Sequence, residues 1–313
     1  MNINCNLDQQ ILYIARCQYK FFLSKPNVVG VGLGIKLKNG IDTGQNCIKV
    51  FVTRKLPQNN LCKNALVPTL YQGIITDVEE IQNNNLYYPK NNFSSMNNPF
   101  TKRVRPTPGG YAIGPASNVL FGSLGCIVKD DMGKHYLFSS AHVLTADYTV
   151  PLGTEIIQPS YPFHGHAPND TIGTLYKYIP LNFTGANFAD AGIALVSDLS
   201  KVSNKVALIG DIKGVSLPVL RLSVKKTGYK TGLTKGTIKS IGVTRLYSYE
   251  HGAVLFKNLI LTSNMSNPGD SGSILFDNSN KAIGILFGGD AQNSIFNPIS
   301  IALDLLHVQL IIH

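Results

Sequence analysis

The sequence predicts a mostly β protein that begins with one helix. Three observations carry this expectation. Short apolar runs alternate with turn segments rich in Gly, Asn and Thr along most of the chain. Hydrophobic residues make up 44% and charged residues only 15%, where about 25% is usual, so there is enough apolar material for a sizeable core. Helical periodicity, by contrast, marks residues 7–24. At 313 residues the chain has room for one large or two modest domains.

Within residues 7–24, Ile11, Ile14 with Ala15, and Phe22 follow one stripe, interrupted by Gln18; Leu12, Tyr19 and Leu23 follow its neighbour. Asn6 or Asp8 is placed to cap this helix, and Pro26 stops it. Its apolar stripe either docks on its own domain or serves as a recognition surface. Val28 to Leu37 reads as a glycine-interrupted strand and Asn39-Gly40 as a turn. Cys47 to Leu56 reads as a second strand, ended by Pro57, and Thr76 to Ile81 as a third. Gly30, Gly32 and Gly34 lack the six-residue spacing and following helix of a dinucleotide-binding turn. Residues 1–81 are thus expected to form the N-terminal helix and a small α+β or β-rich module. Residues 82–108, Asn-rich with Pro89, Pro99, Pro106 and Pro108, read as a linker or extended arm.

From residue 109 to 313 the strand pattern is dense. Leu120 to Lys129 and His135 to Ser139 flank the turn Asp130-Asp131-Met132-Gly133, and Thr154 to Gln158, Ile172 to Ile179 and Ala191 to Val196 follow. After a variable stretch come Lys225 to Gly228, Gly236 to Arg245, Leu255 to Thr262, Ile274 to Asp277, Ile283 to Phe287 and Ser294 to Pro298.

Three short boxes in this region carry chemistry. Asn267-Pro268-Gly269-Asp270-Ser271-Gly272-Ser273 lies between apolar runs and predicts a tight turn that presents the Ser271 hydroxyl among small residues. The N–H groups of Gly269 and Ser271 can converge there on a developing oxyanion. A serine needs a base, and the base needs an orienting carboxylate. His142 follows Leu137-Phe138-Ser139-Ser140-Ala141, and Asp190 opens Asp190-Ala191-Gly192-Ile193-Ala194-Leu195. The separations are 48 residues from His142 to Asp190 and 81 from Asp190 to Ser271. The His-Asp-Ser order of one known triad has gaps of roughly 45 and roughly 90. Asp170 and Asp198 are rivals for the carboxylate, but neither opens an apolar strand with the right neighbours. His135, His164, His166, His251, His307 and His313 lack the context of His142. His164 and His166 alone are too few for a metal, and no cofactor is expected.

Taken together, these boxes resemble the trypsin/chymotrypsin-like serine peptidases. Lys226-Thr227-Gly228-Tyr229-Lys230-Thr231-Gly232 looks like the bacterial secreted branch of alpha-lytic and streptogrisin type. Val28-Val29-Gly30-Val31-Gly32 looks like the opening of bacterial trypsin-like peptidase-domain proteins. The resemblance spans roughly residues 26 to 310. It implies a chymotrypsin-like double β-barrel, two closed antiparallel barrels that leave no exposed edge. Ile301 to Leu306 would form a C-terminal helix behind the second barrel. The implied activity is that of a serine endopeptidase, with Ser271 as nucleophile, His142 as base, Asp190 as its orienter, and Gly269 and Ser271 as the oxyanion hole.

The same resemblance places the substrate pocket at Met265, with walls from Gly288, Gly289 and Ser294. Trypsin-like enzymes carry an aspartate where Met265 stands, so a medium apolar residue is expected beside the cut bond. Asp290 would restore a basic preference if its loop folded inward. In animal relatives a freshly cut N-terminus pairs with the aspartate that precedes the nucleophile. No suitable new N-terminus follows Arg103 or Arg105, so Asp270 is expected to find its partner within the fold.

Other features bound the setting. The net charge of +10 is scattered, with no basic run of five, which argues against a nucleic-acid arm. Cys5, Cys17, Cys47, Cys62 and Cys126 form no Cys-x-x-Cys pair and read as reduced, buried thiols. Neither a signal pattern nor a membrane span is apparent, so a bacterial cytoplasmic protein is expected, without a membrane partner. An intracellular peptidase needs restraint, by narrow specificity or an activating protein partner, as in a stress or phage-defence effector. The substrate would be a protein or peptide. The alternatives are a non-catalytic peptide-binding module that keeps the fold, and an esterase using the same triad.

Overall fold

In the computed structural model, residues 3–81, 98–116, 118–249 and 252–312 are described. Most of the expected arm, residues 82–97, lies outside them, as do His251 and His313. The chain is mostly strand, as its turn-punctuated apolar runs predict, and it is organised around two curled sheets with the chymotrypsin-like arrangement.

The first sheet has eight strands, in the order Gln309–Leu310, Cys126–Lys129, His135–Ser139, Gly192–Val196, Thr171–Tyr178, Glu155–Ile157, Ala112–Pro115 and Gly122–Ser123. Gly122–Ser123 ends two residues before Cys126–Lys129 begins, so the chain itself joins the two sides of the curl. The expected strand Leu120 to Lys129 is thus split in two, at Leu124-Gly125. The N–H of Gly125 is taken instead by the Phe138 carbonyl, 2.9 Å away. Inside the curl lie Ile113, Leu124, Leu137, Val143, Ile156, Ile172 and Leu175.

Six strands of the second sheet close on themselves. Gly252–Ser263, Asn293–Pro298, Ala282–Gly289, Ile274–Asp277, Ser223–Gly228 and Gly232–Tyr249 pair in that order, and the last returns to the first. Gly232–Tyr249 is 18 residues long, more than one barrel side needs. Its first part pairs with Ser223–Gly228, and residues 240–245 pair with Val28–Lys38. Val28–Lys38 in turn leads to Ile41–Val52, Ile74–Glu80 and Leu70–Tyr71. The N-terminal strands therefore continue the barrel's own sheet. Phe51 shares a core with Val243, Phe256 and Phe287 of the barrel.

The N-terminal helical stretch breaks at Gln18, giving Ile3–Cys17 and Tyr19–Leu23. Its stripe docks on its own sheet: Ile11, Ile14, Ala15 and Phe22 are buried against Val31, Leu33, Ile48 and Val50. At about 25 cal/mol per Å² of apolar surface, Ile11, Ile14 and Phe22 each contribute roughly 1.5–3 kcal/mol, which holds the helix to the sheet. The C-terminal helix Ile299–Leu306 packs Ile299, Ala302, Leu303 and Leu306 against Ile274, Phe276 and Ile285 of the second barrel. Cys126, Val128 and Phe138 of the first barrel share that cluster, so this helix and its core join the two barrels.

Candidate active site

Register brings His142 and Asp190 together. Gly192 lies opposite Ser139 in an antiparallel pair, so the residues just before Gly192 face those just after Ser139. The strand His135–Ser139 ends there and the short helix Ala141–Leu144 begins, which turns His142 back toward Asp190. Both side chains are buried, His142 at 5% and Asp190 at 1% exposure. Asp190 Oδ2 contacts His142 Nδ1 directly, and Oδ1 accepts the His142 backbone N–H at 3.1 Å. A carboxylate only accepts, so Nδ1 carries the proton and Nε2 is left as an acceptor. Burial pulls the imidazole pKa down, but the charge and hydrogen bond of Asp190 outweigh it. The net result lies above the ordinary histidine value.

Two more groups fix Asp190. Its N–H donates to Asn297 Oδ1 at 3.0 Å, which ties it to the second barrel. The Tyr148 hydroxyl donates to Oδ1 at 3.0 Å. Tyr148 follows Ala146 and Asp147, and all three have positive φ (63°, 43° and 59° respectively). Left-handed backbone costs a non-glycine residue about 1–2 kcal/mol, so three in succession is a strained turn.

Ser271 arrives from the other barrel. Its carbonyl accepts the Ser123 N–H at 2.8 Å. Any side chain on Gly122 would collide with that carbonyl and with Val143, the neighbour of His142, so Ser271 and the histidine helix meet over one glycine. Ser140 Oγ donates to the Leu286 carbonyl at 2.8 Å, which staples the histidine turn to the second barrel. Gly269 (φ 110°) and Gly272 (φ 91°) let the serine turn pass through backbone open to few other residues. A methyl on Gly272 would collide with Ser139 Oγ and the Ser123 carbonyl.

The N–H groups in this turn divide into two sets. Asp270 N–H goes to the Asn267 carbonyl and Gly272 N–H to the Leu286 carbonyl, both at 3.0 Å. Among the described residues, the N–H groups of buried Gly269 and Ser271 donate to nothing. Buried backbone donors are almost always paired, so two unspent ones flanking Asp270 form an anion-accepting position.

Asp270 has its partner inside the fold. Lys226 Nζ lies 3.1 Å from Oδ2, and both side chains are fully buried. Oδ2 also accepts from Thr231 Oγ1 (2.7 Å) and Asn267 N–H (2.9 Å), and Oδ1 from the N–H groups of Lys230 (3.0 Å) and Thr231 (3.1 Å). Burial, opposed by Asp270, leaves the Lys226 pKa below the usual lysine value.

The residues expected to line a pocket also assemble. Met265 is buried, and its N–H donates to Ser294 Oγ at 2.9 Å. Gly289 pairs with Ser294, and Gly288 with Ile295. The loop after Gly289 does fold inward. Asp290 is 1% exposed, its Oδ1 accepts the N–H groups of Gln292 and Asn293 at 2.8 Å, and its Oδ2 has no hydrogen-bond partner among the described residues. Asn264, next to Met265, bonds the Gln292 carbonyl at 3.0 Å and the Ala291 carbonyl at 3.1 Å. Asn293 Oδ1 accepts from Lys239 Nζ at 2.7 Å, and Lys239 pairs at 2.9 Å with Glu79 of the N-terminal strands. The loop is thus linked to a charged cluster in which buried Lys49 bridges Asp77 and Glu79.

The other candidates lie elsewhere. Asp170 pairs with Arg103 at 2.7 Å, and Asp198 caps the turn Leu199–Lys201. Among the described residues no cluster of three His, Cys, Asp or Glu is arranged to hold a metal. Sequence reasoning missed Tyr148, Lys226, Asn297 and Lys239. Only Lys226 left a signal, an inward position in phase with Val224 and Gly228 on a period-two strand.

No family model matches the chain. The chain is similar to serine protease 2 of Streptomyces fradiae, 28% identical over 176 residues, or 54% of this chain and 87% of that protein. It also superposes on a glutamic-acid-specific serine protease described as using a histidine triad in substrate binding. That match has a TM-score of 0.50 at 25% identity and covers 66% of this chain and all of the other.

Proposed function

We propose that this chain, a trypsin/chymotrypsin-like serine protease, is an endopeptidase that works through an acyl-enzyme formed on Ser271. Ser271 Oγ attacks the peptide carbonyl carbon as His142 Nε2 takes its proton. The carbonyl oxygen becomes an oxyanion held by the N–H groups of Gly269 and Ser271. When the C–N bond breaks, His142 returns the proton to the leaving amine. Water then repeats the sequence on the ester, and Ser271 is regenerated. Asp190 orients the ring and stabilises the imidazolium. Removing one oxyanion donor in such a site costs about 10²–10³ in rate.

The observation that carries this reading is the pairing of buried Asp190 with Nδ1 of His142, beside a serine turn with two unspent N–H groups. Met265, buried at the expected pocket base, favours a medium apolar residue beside the cut bond, while the inward fold of the loop that carries Asp290 favours a basic one. The glutamate preference of the structural relative does not transfer. Asp290 is buried in the adjoining loop and disfavours a substrate carboxylate.

The enzyme is also held to act under restraint in a bacterial cytoplasm, through narrow specificity or an activating protein. The thiols of Cys17, Cys47, Cys62 and Cys126 are free, and Cys17 and Cys62 are exposed, not buried as expected; exposed free thiols support a reducing compartment. Fluorophosphonate labelling read by intact mass tests the nucleophile. Labelling is expected in the wild type and absent in Ser271→Ala and His142→Ala. A wild type that stays unlabelled, alone and with cell extract, overturns the catalytic reading in favour of a binding module. Cleavage of a few proteins in a host lysate is expected, and broad degradation overturns the restraint.

A further inference from the structure

We propose that Tyr148 is a positioning residue of this reaction, because its hydroxyl holds the Asp190 carboxylate in the orientation that receives the His142 ring. The inference rests on the reading above, in which Asp190 orients His142. Asp190 has two oxygens to serve three donors. Oδ2 meets the imidazole Nδ1, while Oδ1 accepts the His142 N–H at 3.1 Å and the Tyr148 hydroxyl at 3.0 Å. The backbone N–H fixes where Oδ1 sits relative to the helix. The phenol adds the second constraint, which prevents the carboxylate from rotating about its own axis.

The delivery of this hydroxyl is specific. Ala146, Asp147 and Tyr148 all adopt left-handed φ without a glycine among them. Such strain persists only where the surroundings over-determine it, and it concentrates at functional sites. Here the strained turn is fastened to the helix that carries His142. Asp147 N–H donates to the His142 carbonyl at 2.8 Å, Tyr148 N–H to Thr145 Oγ1 at 2.8 Å, and Thr149 N–H to the Thr145 carbonyl at 2.9 Å. His142 and Tyr148 therefore move as one body and grip Asp190 from two directions. The Tyr148 ring rests edge-on against Tyr178, with centroids 5.8 Å apart.

The phenol also acts on charge. A donated hydroxyl takes up part of the Asp190 negative charge, which limits how strongly that charge raises the His142 pKa. Burial and then the Asp190 charge push the Tyr148 pKa well above its ordinary value, so the phenol stays a donor across the working range. The other groups that act here are Asp147, whose charge raises both His142 and Tyr148, and Tyr249, which acts on Tyr148.

The test is Tyr148→Phe, which keeps the ring and deletes the donor. With a cleavable peptide, kcat is expected to fall about tenfold with KM unchanged, which is about 1.4 kcal/mol, just under the low end for one hydrogen bond to a charged group. The acid limb of the kcat/KM profile is expected to move to higher pH, because the Asp190 charge is then shared with one donor fewer and holds the imidazolium longer. An unshifted limb, or a kcat loss matched only by a lower Tm, overturns the proposal. NMR titration of the His142 ring gives the same decision without turnover: a higher pKa in Tyr148→Phe supports the role and an unchanged one overturns it. A wild type that neither labels with fluorophosphonate nor cleaves peptide counts against the parent reading alone.

Discussion

Replacing Lys226 with Met isolates what the buried cation does for the serine turn. Both Lys226 and Asp270 are fully buried, and Nζ lies 3.1 Å from Oδ2. Methionine nearly fills the lysine volume, so the perturbation is chiefly the lost charge. Removing one partner of a buried pair costs about 3–5 kcal/mol, because the other charge remains in a dry site. Asp270 would keep four donors, from Asn267, Lys230 and both polar groups of Thr231. That remaining support places the expected loss near the low end, about 3 kcal/mol. The same substitution reaches catalysis, since Asp270 stands between the two unspent N–H groups of Gly269 and Ser271. If the turn loosens enough to lose one donor, kcat falls by about 10²–10³ with little change in KM. Urea unfolding, reported as midpoint and slope, gives the first number, and steady-state kinetics give the second. A stability loss below about 1 kcal/mol together with an unchanged kcat would refute the idea that Lys226 locks the turn.

The acid limb of kcat/KM is expected above the ordinary histidine value of 6.5, because Asp190 raises the His142 pKa and only the neutral ring accepts the serine proton; a pH–rate profile checks it. The same raised pKa gives a stability term that is fully present below pH 6.5 and lost as pH rises through the folded value, visible as pH-dependent unfolding that Asp190→Asn abolishes. Lys226 has a depressed pKa, so between that value and 10.5 the folded state binds fewer protons and gains relative stability as pH rises, while the ion pair is lost. Activity should therefore fade at alkaline pH before thermal stability does. Gly272→Ala should cost at least about 2 kcal/mol, since a side chain there meets Ser139 Oγ and the Ser123 carbonyl at a left-handed φ; thermal unfolding reads it. Glu79→Gln should raise KM several-fold with kcat nearly unchanged, because Glu79 holds Lys239 against Asn293 of the loop beside Met265.

The candidate site was legible where chemistry and local structure coincide. Ser271 sits in a turn whose glycines are dictated by positive φ, and Asp190 lies two residues before the strand Gly192–Val196, whose apolar run is plain in the sequence. Tyr148 was not legible. Its hydroxyl reaches Asp190 only through three consecutive left-handed residues, and Ala146-Asp147-Tyr148 carries no glycine to announce them. Strand boundaries failed for a related reason. Gly236 to Arg245 is the apolar, alternating part of a strand that runs from Gly232 to Tyr249 because its two ends serve different neighbours. Pairing with Val28–Lys38, far earlier in the chain, leaves no signature within Gly232–Tyr249 itself.

Gly30, Gly32 and Gly34 were, however, a signal of that pairing. The sequence pattern excluded a nucleotide turn and offered no other reason for three alternating glycines. In the structure they face the long barrel strand. Side chains there would press on the Thr244 carbonyl, on Val243, and on Ser240 with Lys49. The glycines let Val28–Lys38 approach closely enough to pair, and Ile41–Val52 beside it carries Lys49 into the space under Gly34. Lys49 holds Asp77 and Glu79, Glu79 holds Lys239, and Lys239 holds Asn293 next to Asp290. A missing side chain near the start of the chain is therefore connected, through one shared sheet and one line of charges, to the loop that borders Met265. Gly34→Val, whose side chain would meet Ser240 Oγ and Lys49, should therefore raise KM for a cleavable peptide, as steady-state kinetics would read.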